Sequence, residues 1–227
     1  MKKIRRFIKR TFITLFIAQL VYIVALKWVN PPITITQFNS WLSGEGLERD
    51  YILYDEMPKS IKLAVIASED QLFAAHNGFD KKSIEKALDY NRKKEGKKVR
   101  GASTISQQVA KNVFLWQGRS WFRKGLETYF TFMIETIWGK ERILEMYLNV
   151  AEMGPGVYGV EAASQRYFNK SASRLSRSEA ARIAVVLPNP KKYKINPPGN
   201  YVSSRAEWVL RQMRNIEGDV KVKELVK

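Results

Sequence analysis

The chain has 227 residues, 45% hydrophobic and 27% charged, with a formal net charge of +17, one histidine and no cysteine. That length suits one compact domain with an appendage and falls short of two full-size catalytic domains. The composition excludes a disordered chain, a disulfide scaffold, a thiolate metal site and a histidine-based zinc centre. The basic excess points to anionic partners: nucleic acid, anionic lipid or a phosphorylated substrate.

Residues 1–10 form a basic tail carrying Lys2, Lys3, Arg5, Arg6, Lys9 and Arg10, and residues 11–29 follow as an apolar run. Roughly 19 residues at about 1.5 Å each give ~28 Å of helix, enough to cross a hydrocarbon core. The cationic flank predicts a cytoplasmic N-terminus with the rest of the chain outside. A cleaved signal peptide is the rival reading, but the run is long for one and lacks a small-x-small cleavage site. Residues 30–56 read as a linker opening on Asn30-Pro31-Pro32. From residue 57 onward apolar residues recur at spacings of three and four, so residues 57–227 are predicted to form one mostly helical domain.

The first helix of that domain is expected to start near Pro58 and run through His76, with Glu69 and Asp70 interrupting its apolar stretch. A carboxylate at the mouth of an apolar helix can acquire the raised pKa of a general base; two solvated acids are the plain alternative. His76 reads as a structural hydrogen-bonding residue. Arg92, Lys93, Lys94, Lys97, Lys98 and Arg100 make a basic loop, either a solvated surface or a face laid against anionic lipid. Next comes Gly101-Ala102-Ser103-Thr104-Ile105-Ser106-Gln107-Gln108, in which Thr104 and Gln107 have capping-box spacing and predict a helix start. Glycine, hydroxyls and Lys111 around such a start suit an anionic oxygen. Arg123 and Glu127 are four apart and Lys124 and Glu127 three apart, so the three share a helix face. They are either an exposed ion-pair cluster or a grip on a pyrophosphate. Phe114, Leu115, Trp116, Trp121, Phe122, Tyr129, Phe130, Phe132 and Trp138 lie close by in sequence; some must be core, and the excess of aromatics beside basic residues also fits a surface dipping into a membrane interface.

Taken together these segments resemble the family 51 glycosyltransferases, the peptidoglycan polymerases. Glu69-Asp70 with Phe73, His76 and Gly78 is similar to that family's first motif, Gly101 to Asn112 to its second, and Arg123-Lys124 with Glu127 to its third. Lys140 to Asn149, followed by Gly154 and Gly159, resembles the fourth, and Glu179 to Pro190 the fifth. Ala102 stands where the usual pattern has a second glycine, and Ser106 where a threonine is common. The pattern looks like the monofunctional proteobacterial branch.

The resemblance implies a mostly α, lysozyme-like, two-lobed domain with a membrane-contacting jaw lobe, preceded by one transmembrane helix in the inner membrane, with the catalytic domain periplasmic. It implies polymerisation of lipid II onto a growing lipid-linked glycan chain. Glu69 and Glu127 would be catalytic, with Glu69 the base. Asp70, Phe73, His76, Gly101, Ser103, Thr104, Gln108, Lys111, Arg123 and Lys124 would bind substrate. Glu127 would orient the cations or hold a divalent cation such as Mg²⁺; no cofactor is otherwise called for. Moenomycin is the expected inhibitor, and other cell-wall synthesis proteins are candidate partners. No nucleic-acid-binding module is recognisable. A glycan-cleaving enzyme of lysozyme-like class and a membrane-tethered, non-enzymatic binding protein are the competing readings.

Overall fold

The computed structural model describes residues 2–94, 101–118 and 120–227. Lys97, Lys98 and Arg100 of the basic loop lie outside them. Helix α1 (Lys2–Ala25) is one continuous helix that includes the basic tail, and it is long and apolar enough to cross a membrane. Its C-terminal end is docked. Ile23 and Leu26 are buried, and Trp138 donates its indole N–H to the Ile23 carbonyl at 2.8 Å. Arg142 donates to the carbonyls of Leu26 and Val29, each at 3.0 Å. These bonds satisfy acceptors around the helix end that would otherwise lack partners.

The stretch read as a linker is more ordered than its composition implies. Thr34 and Gln37 form a reciprocal cap on α2 (Ile35–Leu42), and β1 (Glu48–Arg49) follows. Strand β1 pairs in parallel with β3 (Val157–Tyr158), which pairs antiparallel with β2 (Glu152–Gly154). Gly156 makes this packing possible. Its φ is +69°, and a Cβ there would lie 2.3 Å from the Glu45 carbonyl oxygen. Asn149 pins the same stretch from the other side: its side-chain oxygen accepts from the Ile52 N–H at 3.1 Å, and its amide donates to the Ile52 carbonyl at 3.0 Å.

The core forms around α3 (Lys59–Glu69), whose residues from Ile61 to Ala67 are all buried. It packs against α9 (Arg177–Val186) and α10 (Asn200–Ile216). Helix α5 (Ile105–Phe114) packs against α6 (Trp121–Ile137) and α7 (Lys140–Val150). Helix α4 (Lys81–Lys93) lies on the outside with one buried residue, Ala87. Helices α8 (Val160–Phe168) and α11 (Val220–Leu225) complete the chain.

Helix α3 is shorter than the sequence predicts. It stops at Glu69, and Asp70 turns out of the helix at φ −160°, ψ 78°. The tertiary partners of Asp70 supply the reason. Its carboxylate is held by His76 Nε2 at 2.9 Å and by the backbone N–H of Ile105 at 3.0 Å. The end of α3 is thereby tied to the start of α5.

Candidate active site

Three elements bring the chemistry together. Helix α3 presents Glu69 at its C-terminal end. Helix α5 presents Gln108 and Lys111, three apart and therefore on one face. Its start is fixed by the reciprocal cap of Thr104 and Gln107, as the spacing predicts, and by the Thr104 hydroxyl donating to the Gly78 carbonyl at 2.7 Å. Gly78 has φ +84°, and a Cβ there would meet Thr131 Cγ2 at 2.8 Å, so this approach requires glycine. Helix α6, capped by Ser120, presents Arg123, Lys124 and Glu127 from its first two turns.

Glu69 lies on a cleft of about 760 Å³ also lined by Asp70, Gly101, Ser103, Arg205 and Trp208. Burial pushes the Glu69 carboxyl above the usual glutamate value, with Asp70 adding to the shift. Hydrogen bonds from Gln108 and Ser68 and the charge of Arg205 oppose it. The Gln108 amide donates to Glu69 Oε2 at 2.9 Å. A second cavity of about 390 Å³ shares Ser103 with the first and is lined by Gln108, Lys111, Arg123, Lys124 and Glu127.

The α6 cluster is not an exposed ion pair. Arg123 and Glu127 are 8% and 3% exposed. Arg123 donates from a terminal guanidinium nitrogen to Glu127 Oε2 at 2.8 Å, while Lys124 takes Glu127 Oε1. Arg123 Nε is buried without a partner. Burial lowers the pKa of Lys111, and its charge feels both Glu127 and Glu69. Three cationic side chains thus face one carboxylate whose oxygens are already occupied. Such a donor set suits an anion. Both Glu127 oxygens are engaged by these cations.

Several of the expected substrate-binding residues make framework contacts. Phe73 is fully buried beneath Lys140, whose ammonium lies 4.4 Å from its ring. The Thr104 hydroxyl is committed to Gly78 and to the Gln107 N–H. His76 is engaged by Asp70, and its own Nδ1 is buried and unpartnered. Asp70, Gly101, Ser103, Thr104, Gln108, Lys111, Arg123 and Lys124 line the two cavities.

The residue pattern matches a known family model, described as Transglycosylase, over residues 35–214. The chain belongs to the transglycosylase family. The match begins at α2, inside the stretch read as a linker, and ends in α10. Similar relatives are each described as a biosynthetic peptidoglycan transglycosylase. One from Pseudomonas aeruginosa is 51% identical over 208 residues, covering 89% of each chain. One from Shigella boydii is 49% identical over 225 residues, covering 92% of this chain and 93% of the relative. One from Shewanella oneidensis is 45% identical over 228 residues, covering 99% and 97%. The transglycosylase domain is lysozyme-like and mostly helical, as the motifs imply. The segment after α5 and the face of α6 leave Trp116, Trp121, Phe122 and Phe132 exposed, the apolar surface expected of a membrane-contacting lobe.

The motif reading missed Arg205, Trp208 and Tyr147 as neighbours of the transglycosylase site. The Arg205 guanidinium lies 3.6 Å from the Trp208 ring centroid, and both line the cleft of Glu69. Arg205 and Trp208 are marked in sequence only by a spacing of three on an amphipathic helix, which is commonplace, and Tyr147 only by lying within the fourth motif.

Proposed function

We propose that this transglycosylase polymerises lipid II into β-1,4-linked glycan strands of peptidoglycan, with inversion at the anomeric carbon and release of undecaprenyl pyrophosphate. The observation that carries the reading is the joining, through α5, of a carboxylate of raised pKa to a cluster of cations lining the neighbouring cavity. Glu69 accepts the proton of the acceptor's 4-hydroxyl as that oxygen bonds to the donor's anomeric carbon. The bond from that carbon to the pyrophosphate oxygen breaks, and the electron pair leaves with the pyrophosphate. Lys111, Arg123 and Lys124 stabilise the charge that develops there, and Ser103 adds a hydrogen bond. Glu127 orients Arg123 and Lys124. Pyrophosphate is a good leaving group, so a general acid is not required.

The N-terminal helix anchors the enzyme in the inner membrane, with the catalytic domain in the periplasm, where both lipid-linked substrates meet the cleft. The growing chain is the donor and lipid II the acceptor. Moenomycin, a phosphoglycolipid, would occupy the cationic cavity in place of the donor. Incubating the detergent-solubilised protein with labelled lipid II and separating the products by size tests the reading. Long glycan chains are expected, blocked by moenomycin. An untouched substrate, or shortened strands released from isolated sacculi, would overturn it.

A further inference from the structure

Tyr147 on α7 is 1% exposed, and nothing in the proposed chemistry uses it. Its hydroxyl lies 3.2 Å from Gln108 Oε1, and the amide nitrogen of the same Gln108 lies 2.9 Å from Glu69 Oε2. A primary amide has an accepting end and a donating end. Between an ionised carboxylate, which only accepts, and a phenol held as a donor, just one orientation of the amide satisfies both neighbours. The reverse orientation would set the amide oxygen against the carboxylate. Burial holds the Tyr147 phenol well above its ordinary pKa, with the charges of Glu69 and Asp70 acting in the same direction, so it stays protonated and remains a donor.

We infer that Tyr147 is a positioning residue for the general base: by donating to Gln108 it locks the amide so that its N–H₂ faces Glu69 and holds that carboxylate ready to accept a proton. This rests on the polymerase reading and extends it to a side chain that touches no substrate. The function of the lock is electrostatic. Burial raises the Glu69 pKa, and the Gln108 hydrogen bond opposes that rise. The other groups acting on Glu69 are Asp70 beside it, Lys111 from α5, Arg205 from α10 and the phenol itself from α7; Ser68, one residue before Glu69, adds a hydrogen bond. None of the others depends on the direction in which the Gln108 amide points. Freeing that amide should therefore move one quantity selectively, the pH at which Glu69 loses its proton.

The test is the pH dependence of kcat/KM for lipid II polymerisation by the full chain in detergent, for Tyr147→Phe and Gln108→Met. Phenylalanine keeps the buried ring. Methionine keeps the length of Gln108 and deletes both of its hydrogen bonds. In each variant the acid limb should move to higher pH by about half a unit to one unit, the effect of one net hydrogen bond on one ionisation. The double variant should move no further than Gln108→Met alone, because Tyr147 acts only through Gln108. A role confined to packing would lower the thermal midpoint of Tyr147→Phe and leave its acid limb in place. That outcome overturns the inference, as does full additivity in the double variant. Should Tyr147→Phe fail to fold, an unmoved limb in Gln108→Met overturns it equally. If the parent chain makes no polymer, the functional reading itself is what fails.

Discussion

Glu69 and Asp70 are adjacent carboxylates with opposite roles. Glu69 stays on the cleft with its pKa raised by burial, and Asp70 leaves the helix to bind His76 and the Ile105 N–H. Glu69→Gln removes the proposed proton acceptor and should lower polymerisation by about 10²–10⁴-fold while moenomycin still binds. The same change should raise stability. A carboxyl whose folded pKa lies above its unfolded value contributes stability that is complete below the unfolded value and lost as pH rises through the folded one. Glutamine carries no such loss, so the thermal midpoint of Glu69→Gln should exceed that of the parent by a few degrees at neutral pH, with the difference vanishing on acidification; calorimetry across pH measures it. Asp70→Asn should act chiefly on folding, since it weakens charge-assisted hydrogen bonds worth about 1.5–3 kcal/mol each. In the cation cluster, Arg123→Ala and Lys124→Ala should each cost about ten- to a hundredfold in turnover on lipid II. They should differ in stability. The Arg123 side chain is 10% exposed and that of Lys124 40%, so losing Arg123 strips the buried partner from Glu127 and should lower the melting temperature more.

At the scale of elements, α5 joins the two halves of the site, and its N-terminus is over-determined by Thr104, Gln107, Gly78 and Asp70. Gly78→Ala should disturb this junction from a distance: the added methyl meets Thr131 on α6, and φ +84° is unfavourable for any L side chain. The expected result is a loss of about 1–3 kcal/mol in denaturant unfolding, with any surviving activity reduced because Gln108 and Lys111 lose their register with Glu69. The anchor helix is likewise bound to the domain by specific bonds. Arg142→Ala removes two hydrogen bonds to the carbonyls of Leu26 and Val29. Cleavage by added protease between residues 27 and 34 should then be faster than in the parent, and Trp138→Phe, which loses the bond to Ile23, should add to it. Unchanged cleavage in both would show that the junction is held by apolar packing alone.

For the whole molecule, the proposed function gives the basic charge, the N-terminal apolar helix and the exposed aromatics one explanation, a catalytic domain working at an anionic membrane surface on lipid-linked pyrophosphates. The charges near the surface attract anionic lipid over roughly a Debye length of 8–10 Å, whereas the cluster of buried Arg123 with the half-buried Lys111 and Lys124 is screened less by salt. A reporter active only outside the cytoplasm should be active when fused after Lys227 and inactive at the N-terminus. Raising the ionic strength with detergent-solubilised protein should leave donor binding largely intact while weakening adsorption to anionic vesicles. A comparable loss of both would mean that the substrate site depends on exposed charges rather than on the buried ones.

Much of this was legible in the residues themselves because it rests on local patterns. The apolar run and its cationic flank define a membrane-length helix. Thr104 and Gln107 mark the start of α5, and the spacing of Arg123, Lys124 and Glu127 puts them on one helical face whatever surrounds it. The motifs in chain order carry the family. Other features depend on partners distant in sequence, which local spacing cannot reveal. Helix α3 stops at Glu69 because Asp70 finds Ile105, 35 residues away. The stretch from 30 to 56 is ordered because Asn149 binds Ile52 and β1 finds β3. Phe73 shares a motif with Glu69 yet lies buried under Lys140. The Arg123–Glu127 pair of α6 is buried rather than solvated because α5 packs against α6, and Tyr147 meets Gln108 only because α7 also packs on α5. Sequence determined which groups are available and how each helix orients them; tertiary packing decided which were desolvated and paired, and desolvation is what sets Glu69 and Lys111 apart from ordinary surface charges.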